Sequence, residues 1–174
     1  RGSKYAADIA LQNIRSMQKI LAWNSANNIS IYRMSSSLFP WMSEYKIFEL
    51  FNYKEIKSAL EDCGEYARST GQRLSFHPGQ FCVLASQNEN VIANSVRELE
   101  KHGEIMDIMN MPKSHGAKIN IHIGGAYGDR DSAIDRFCKN FENHLSHSVK
   151  SRLTIENDDK ESMFSTKMLH DGAY

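Results

Sequence analysis

A four-residue pattern that occurs three times constrains the fold of this chain more than any other feature. Leu74–His77, Ile119–His122 and Leu153–Glu156 each flank a small polar residue with apolar ones and end on a good metal ligand. Alternate side chains of a strand share a face, so the small polar residue and the ligand point one way and the apolar residues the other. Three strands would then bring three ligands to one polar surface: His77, His122 and Glu156.

Helical and strand patterns alternate along the rest of the chain. Apolar spacings of three and four predict helices over about 6–27, 53–69, 86–109, 131–146 and 162–169. Strands are predicted over 30–35, 73–77, 118–123 and 152–156. Alternation of this kind indicates an α/β fold with a parallel sheet, and the polar ligand-bearing face suits the inside of a TIM-type (β/α)8 barrel.

A closed barrel of this type needs about 250 residues, whereas this chain has 174. We therefore expect one domain over 1–174, an incomplete barrel holding about strands 2 to 5 with two open sheet edges. The sequence starts at Arg1 and stops at Tyr174, and we expect both ends to be truncated.

Three local patterns give further expectations. Ser86 followed by Glu89 resembles a capping box that opens a helix. Arg33 is either an active-site arginine on the polar face or a solvated residue at a strand edge. A cluster of aromatic residues is expected to serve packing: Trp41, Tyr45, Phe48 and Phe51.

Composition narrows the function classes. Lys+Arg and Asp+Glu both number 21, so a nucleic-acid-binding surface would have to be a local patch. The three cysteines form no CxxC pair, which favours a reducing compartment. With no signal peptide or apolar run of membrane-spanning length, we expect a soluble cytoplasmic protein that has no membrane contact.

The three strand-end ligands predict a metal site. Imidazole and carboxylate are usual ligands of zinc, manganese and iron, and their repeated position in the strand pattern argues against coincidence. The remaining histidines lie on predicted helices and loops and are expected to be solvated: His102, His115, His144, His147 and His170.

Four motifs together resemble the UV damage endonuclease family in order and spacing. They are Tyr32–Pro40, Ser75–Gln80, Ile121–Asp129 and Glu156–Asp159. The resemblance implies a barrel like that of endonuclease IV and xylose isomerase. It also implies a metal-dependent DNA repair enzyme that cuts the phosphodiester backbone on the 5′ side of UV photoproducts and other distorting lesions.

By the same resemblance, His77 and His122 match metal ligands and Glu156 a carboxylate that bridges metals, which makes these three the expected catalytic residues. Gln80 and Phe81 match the pair that probes the lesion, with Phe81 standing where the family often has Tyr. Phosphate contacts are expected from residues just beyond the strand ends: Tyr127, Arg130 and Lys160.

The implied cofactor is a multinuclear cluster of divalent ions, with Mn²⁺ expected and Zn²⁺ or Mg²⁺ as alternatives. Ligands outside this sequence would complete the cluster. The implied partner is damaged double-stranded DNA, with no obligate protein partner and a monomer at full length. Two alternatives stay open: a sugar isomerase or epimerase on the related barrel, and a catalytically incomplete fragment that only binds damaged DNA.

Overall fold

A computed structural model describes residues 2–173 of the chain. Helices and short strands alternate over this range, as the sequence predicts. The helices are α1 Gly2–Ala26, α2 Tyr53–Ser69, α3 Glu89–Ile108, α4 Arg130–His144, α5 His147–Lys150 and α6 Thr166–Ala173. The strands are β1 Ile31–Met34, β2 Arg73–Phe76, β3 Ile119–Ile121 and β4 Leu153–Ile155. None of the described helices is long and apolar enough to cross a membrane.

The four strands form one parallel sheet in the order β1-β2-β3-β4. Each connection between neighbouring strands includes a helix, as a parallel crossover requires. The predicted α/β class with a parallel sheet is confirmed. Because the strands are parallel, their carboxyl ends lie at the same end of the sheet. The residues that follow β2, β3 and β4 therefore lie close together there.

The two faces of the sheet differ in polarity. Leu74, Phe76, Ile119 and Ile121 are almost fully buried, and they join one core with apolar residues of α1, α2 and α3. The alternate residues are polar and half-buried or exposed: Arg33, Ser75, Asn120 and Thr154. Arg33 pairs in register with Ser75, so it lies on the polar face, and it is exposed there.

The start of α3 differs from the expected capping box. The helix begins at Glu89, and the Asn88 side chain accepts a hydrogen bond from the backbone N–H of Asn90 at 2.9 Å. Ser86 Oγ instead accepts from the N–H of Asn88 at 3.1 Å. The capping-box prediction is therefore wrong, because Ser86 stabilises the turn before the helix and Asn88 caps it.

The aromatic cluster is the second correction. Tyr45 is half-buried and its hydroxyl donates to the Pro40 carbonyl at 2.7 Å. In contrast, Trp41, Phe48 and Phe51 are 63%, 56% and 64% exposed. The expectation that this cluster serves packing is wrong for these three rings.

His102 is the third correction. Its side chain is fully buried on α3, and its ring lies 4.4 Å from that of Phe76, edge to face. His102 Nδ1–H donates to the Glu98 carbonyl at 2.9 Å. Burial lowers the pKa of His102 to about 4, against a smaller opposing effect of this hydrogen bond. The other four histidines expected to be solvated are exposed.

Candidate metal centre

Three side chains converge just beyond the carboxyl ends of β2, β3 and β4. One ligand atom from each of His77, His122 and Glu156 lies within 4.8 Å of the others. His77 Nε2 is 3.0 Å from Glu156 Oε2, and the two imidazole rings lie 5.7 Å apart between centroids. The structure thus brings together the three predicted ligands. His122 and Glu156 directly follow the register partners Ile121 and Ile155, whereas the Phe76–Ile119 pair puts His77 level with Asn120.

The close approach of His77 to Glu156 requires a proton or a metal ion shared by the two side chains. His77 Nδ1 lies 3.0 Å from the Pro78 carbonyl oxygen, which can only accept, so Nδ1 carries a proton. In the neutral imidazole, Nε2 then has no proton, and its lone pair faces Glu156 Oε2. Two acceptors at this distance need a proton on one of them or a metal ion bound to both.

A chain of hydrogen bonds across β3 and β4 holds Glu156. Thr154 Oγ1 donates to Asn120 Oδ1 at 2.7 Å, and Asn120 Nδ2 donates to Glu156 Oε2. Asn120 and Thr154 are register partners in the parallel pair. The amide thereby has a fixed orientation and presents its N–H to the carboxylate. Asn120 and Thr154 were not predicted as site residues, although their alternation with the ligands placed them on the same face.

His122 is held less completely. Its Nδ1 is buried and makes no hydrogen bond within the described part of the chain. The nearest carboxylate oxygen is Asp158 Oδ1 at 3.3 Å. Asp158 itself is fixed by Phe164, whose backbone N–H donates to Asp158 Oδ2 at 3.3 Å. An orphaned buried nitrogen beside a carboxylate suits a site that takes up a cation, and sequence reasoning did not single out Asp158.

The loop after β2 presents Gln80 and Phe81 at its tip. The N–H of Cys82 donates to the Gly79 carbonyl at 2.9 Å, which closes a tight turn around the two residues. Phe81 is 81% exposed. The base of the turn is fixed to α3, because the Gly79 N–H donates to Glu98 Oε1 at 3.2 Å. The loop therefore holds an exposed planar ring on an anchored base.

The loops after β3 and β4 carry the other predicted residues. Tyr127 is 47% exposed, and the Arg136 guanidinium lies 5.4 Å from its ring centroid. Arg130 Nη1 donates to the carbonyls of Glu161 and Met163, both at 3.2 Å. Arg130 and Lys160 line one open surface depression. Arg130 thus joins the start of α4 to the loop after β4, and the expected phosphate contacts stay a prediction.

Comparison with known proteins gives consistent matches along nearly the whole chain. The family model described as UV-endonuclease UvdE matches residues 1–169. The UV DNA damage endonuclease of Clostridium perfringens is 39% identical over 152 residues, which is 87% of this chain and 36% of that protein. The UV-damage endonuclease of Schizosaccharomyces pombe is 36% identical over 160 residues, which is 91% of this chain and 26% of that protein.

A solved structure shares the fold. The crystal structure of SacUVDE superposes with a TM-score of 0.87 at 31% sequence identity, covering 99% of this chain and 58% of that chain. The chain spans only about a third and a quarter of the two curated relatives named above. The family match and the shared fold nevertheless cover nearly every residue, and this chain therefore belongs to the UV-endonuclease UvdE family.

Proposed function

We propose that this chain carries part of the catalytic centre of a metal-dependent DNA repair endonuclease, which cuts the backbone 5′ of UV photoproducts and other distorting lesions. The observation that carries the proposal is the convergence of His77, His122 and Glu156 at the carboxyl ends of three adjacent strands. The names of the relatives, which are endonucleases of UV-damaged DNA, support the substrate class.

The proposed architecture is about strands 2 to 5 of a TIM-type (β/α)8 barrel. The parallel sheet has one apolar face, which helices cover, and one polar face. The strands of such a barrel likewise have an outer face covered by helices and an inner face. The ligand-bearing residues follow the strands at the edge where barrels place their active sites. The match with SacUVDE covers 58% of that chain, which supports a partial barrel here.

The chemistry of the donor set fits divalent metal ions. Two imidazoles and a carboxylate suit Mn²⁺ or Zn²⁺ better than Mg²⁺, which prefers oxygen ligands, and Mn²⁺ is our first choice. When bound, such ions lower the pKa of coordinated water and neutralise charge that develops on the phosphate. His77, His122 and Glu156 would hold them here, with residues outside this sequence completing a multinuclear cluster.

The chain's own residues would also select the substrate. The Phe81 ring, exposed on an anchored turn, can fill the gap left when weakly paired damaged bases leave the stack. Gln80 beside it offers amide hydrogen bonds to the orphaned partner bases. Tyr127, Arg130 and Lys160 are proposed to contact phosphates, because they lie just beyond the carboxyl ends of β3 and β4.

The test is an incision assay on an end-labelled duplex that carries one pyrimidine dimer, with Mn²⁺ present. The protein is this chain joined to the remainder of a full-length family member. We expect a nick immediately 5′ of the dimer, lost in His122→Ala and in Glu156→Ala and kept in His144→Ala, which removes an exposed histidine of α4. Absence of any nick with every divalent metal would refute the proposal.

A binding measurement on the same duplex, made beside the incision assay, tests the remaining alternative of a fragment that only binds DNA. That alternative predicts dimer binding that persists with a chelator, without nicking by the full-length form. The family match leaves no observation in favour of a sugar isomerase.

A further inference from the structure

One peptide unit lies between the candidate metal centre and the exposed turn after β2. It joins Pro78, which is buried, to Gly79, which is exposed. The unit is planar and trans, so its carbonyl and its N–H point in opposite directions. The Pro78 carbonyl oxygen accepts from His77 Nδ1–H at 3.0 Å, and the Gly79 N–H donates to Glu98 Oε1 at 3.2 Å. The orientation of this one unit therefore determines a contact on each side of it.

The two ends of the turn are attached to α3 in different ways. At the far end Cys82 is buried, and the Val83 N–H donates to Ser95 Oγ at 2.9 Å. At the near end a Cβ on Gly79 would meet no atom within 4 Å, so packing around this residue does not fix its position. The hydrogen bond to Glu98, which lies one helical turn beyond Ser95, holds Gly79 instead.

The structure of α3 places Glu98 for this contact. The backbone carbonyl of Glu98 accepts from His102 Nδ1–H at 2.9 Å, which fixes the helix at this position. The Glu98 side chain is half-buried, and burial raises the pKa of its carboxyl, against a smaller opposing effect of the Gly79 hydrogen bond. A carboxylate that has lost part of its hydration needs a donor, and its hydrogen bond to a backbone N–H is charge-assisted and strong. Glu98 therefore fixes the orientation of the Pro78–Gly79 peptide.

Both parts of the proposed function depend on this orientation. A carbonyl directed at His77 Nδ1 keeps the proton on that nitrogen and leaves Nε2 free to bind a metal ion. An N–H that stays bonded to α3 keeps the turn in one conformation, so less conformational freedom is lost when the Phe81 ring enters the duplex. Rotation of the peptide would remove the carbonyl from His77 and displace the turn in the same event.

We propose that Glu98 is a positioning residue that couples metal binding to lesion recognition through the Pro78–Gly79 peptide. This inference rests on the proposed function and deepens it. The effect of Glu98 passes through the peptide, which contacts His77 on one side and begins the turn on the other.

Removal of the Glu98 carboxylate should weaken two properties together. Glu98→Ala keeps the backbone carbonyl that His102 contacts and removes the acceptor of the Gly79 N–H. The affinity for Mn²⁺ should fall about tenfold, the lower end of the range for partners of metal ligands. The preference for a duplex with one dimer over an undamaged duplex should also fall about tenfold, if the bond contributes as those to charged groups usually do. The reason is that a turn with several conformations binds in proportion to its competent fraction.

Three further variants separate the hydrogen bond from other effects. Glu98→Asp keeps the charge but shortens the side chain by one methylene, so it should show the same two losses. Glu98→Gln keeps an oxygen acceptor at the same reach, so it should retain both properties. The matched control is Glu100→Ala, because Glu100 Oε1 accepts the Ser146 N–H at 2.7 Å. This is the same kind of contact, made by the same helix to a different loop, and its loss should leave both properties unchanged.

The experiment has three measurements. Calorimetric titration of the 174-residue chain gives the affinity for Mn²⁺. Fluorescence anisotropy of labelled duplexes, with and without one dimer, gives the preference of the full-length form used for incision. Hydrogen exchange of the Gly79 amide, followed by NMR without metal or DNA, should be faster in Glu98→Ala and Glu98→Asp than in the native chain. The thermal midpoint of each variant shows whether it remains folded.

The outcomes separate this inference from the function on which it rests. Faster Gly79 exchange, with loss of both Mn²⁺ affinity and dimer preference, supports the inference when Glu98→Gln and Glu100→Ala retain both. Loss of one property without the other overturns the coupling. Unchanged values of both in Glu98→Ala and Glu98→Asp overturn the inference and leave the proposed function intact. Equal losses in Glu100→Ala would show a general effect of α3 and also overturn it. A native protein that neither binds Mn²⁺ nor prefers the dimer contradicts the proposed function together with this inference.

Discussion

Acidification is expected to destabilise this protein through His102. The residue is buried on α3 against Phe76, and its Nδ1–H donates to the Glu98 carbonyl. His102 Nε2 is buried without a hydrogen bond among the described residues. Protonation would therefore place a charge in an apolar environment, which is why burial lowers the pKa from 6.5 to about 4.

The sign and size of the effect follow from proton linkage. Below pH 6.5 the unfolded chain takes up a proton at His102, whereas the native state resists it until about pH 4. The unfolded state binds more protons in this window, so the free energy of unfolding falls as the pH falls, by about 1.4 kcal/mol per pH unit. Over the 2.5 units between 6.5 and 4 the loss is about 3 kcal/mol, and it levels off below about pH 4. This is a large share of a typical stability of about 5–15 kcal/mol.

The assay is urea unfolding followed by circular dichroism between about pH 7.5 and pH 4, with a chelator present to keep metal out of the comparison. The native chain should lose about 3 kcal/mol more than His102→Gln over this range. The remaining ionisable groups are present in both proteins, so their contributions cancel in the comparison. An exposed control, His115→Gln, should keep the native pH dependence. Equal pH dependence of the native chain and His102→Gln would refute the reasoning.

Three other substitutions have distinct expected outcomes. Phe81→Ala should leave the thermal midpoint unchanged in calorimetry, because the ring is 81% exposed, and a lower midpoint would show that the ring packs. Asn120→Ala removes the amide that orients the carboxylate of the candidate metal centre, so calorimetric titration with Mn²⁺ should show about 10–100-fold weaker binding; equal affinity would exclude a positioning role. Gly64→Ala would place Cβ 1.9 Å from the Met109 carbonyl oxygen, so urea unfolding should show a loss of at least about 1–3 kcal/mol. Gly79→Ala, with no atom within 4 Å of its Cβ, should be neutral by the same measurement.

The elements that the sequence predicted well are those whose signal is local. Helix α2 spans Tyr53–Ser69, as its apolar spacing predicts, because a helix that buries one face needs that period. The predicted strands at 30–35 and 73–77 are one or two residues longer than β1 and β2. Alternation also predicted that Ser75 and Asn120 lie on the polar face of the sheet, whereas it left open the face on which Arg33 lies.

Side-chain environments were predicted less well. His102 was expected to be solvated, but it is buried. Trp41 was expected to pack, but it is exposed. Burial depends on which element packs against a residue, and neither the position of β2 against α3 nor the open side of Met42–Glu44 can be deduced from neighbours in the sequence. The cap of α3 is Asn88 and not the expected Ser86. Both side chains can accept a hydrogen bond from a backbone N–H, and only the path of the loop determines which of them caps the helix.

The candidate metal centre divides in the same way. Residue types and strand periodicity alone determined that His77, His122 and Glu156 would follow parallel strands on a shared face. Only the tertiary structure decided that His77 Nε2 and Glu156 Oε2, which are 79 residues apart in the chain, lie 3.0 Å from each other. It also decided that Asn120 orients the carboxylate and that Asp158 lies beside His122. The alternation of side chains along a strand and the residue type at its end are properties of a short segment. A distance between two strands depends on how the helices that connect them pack.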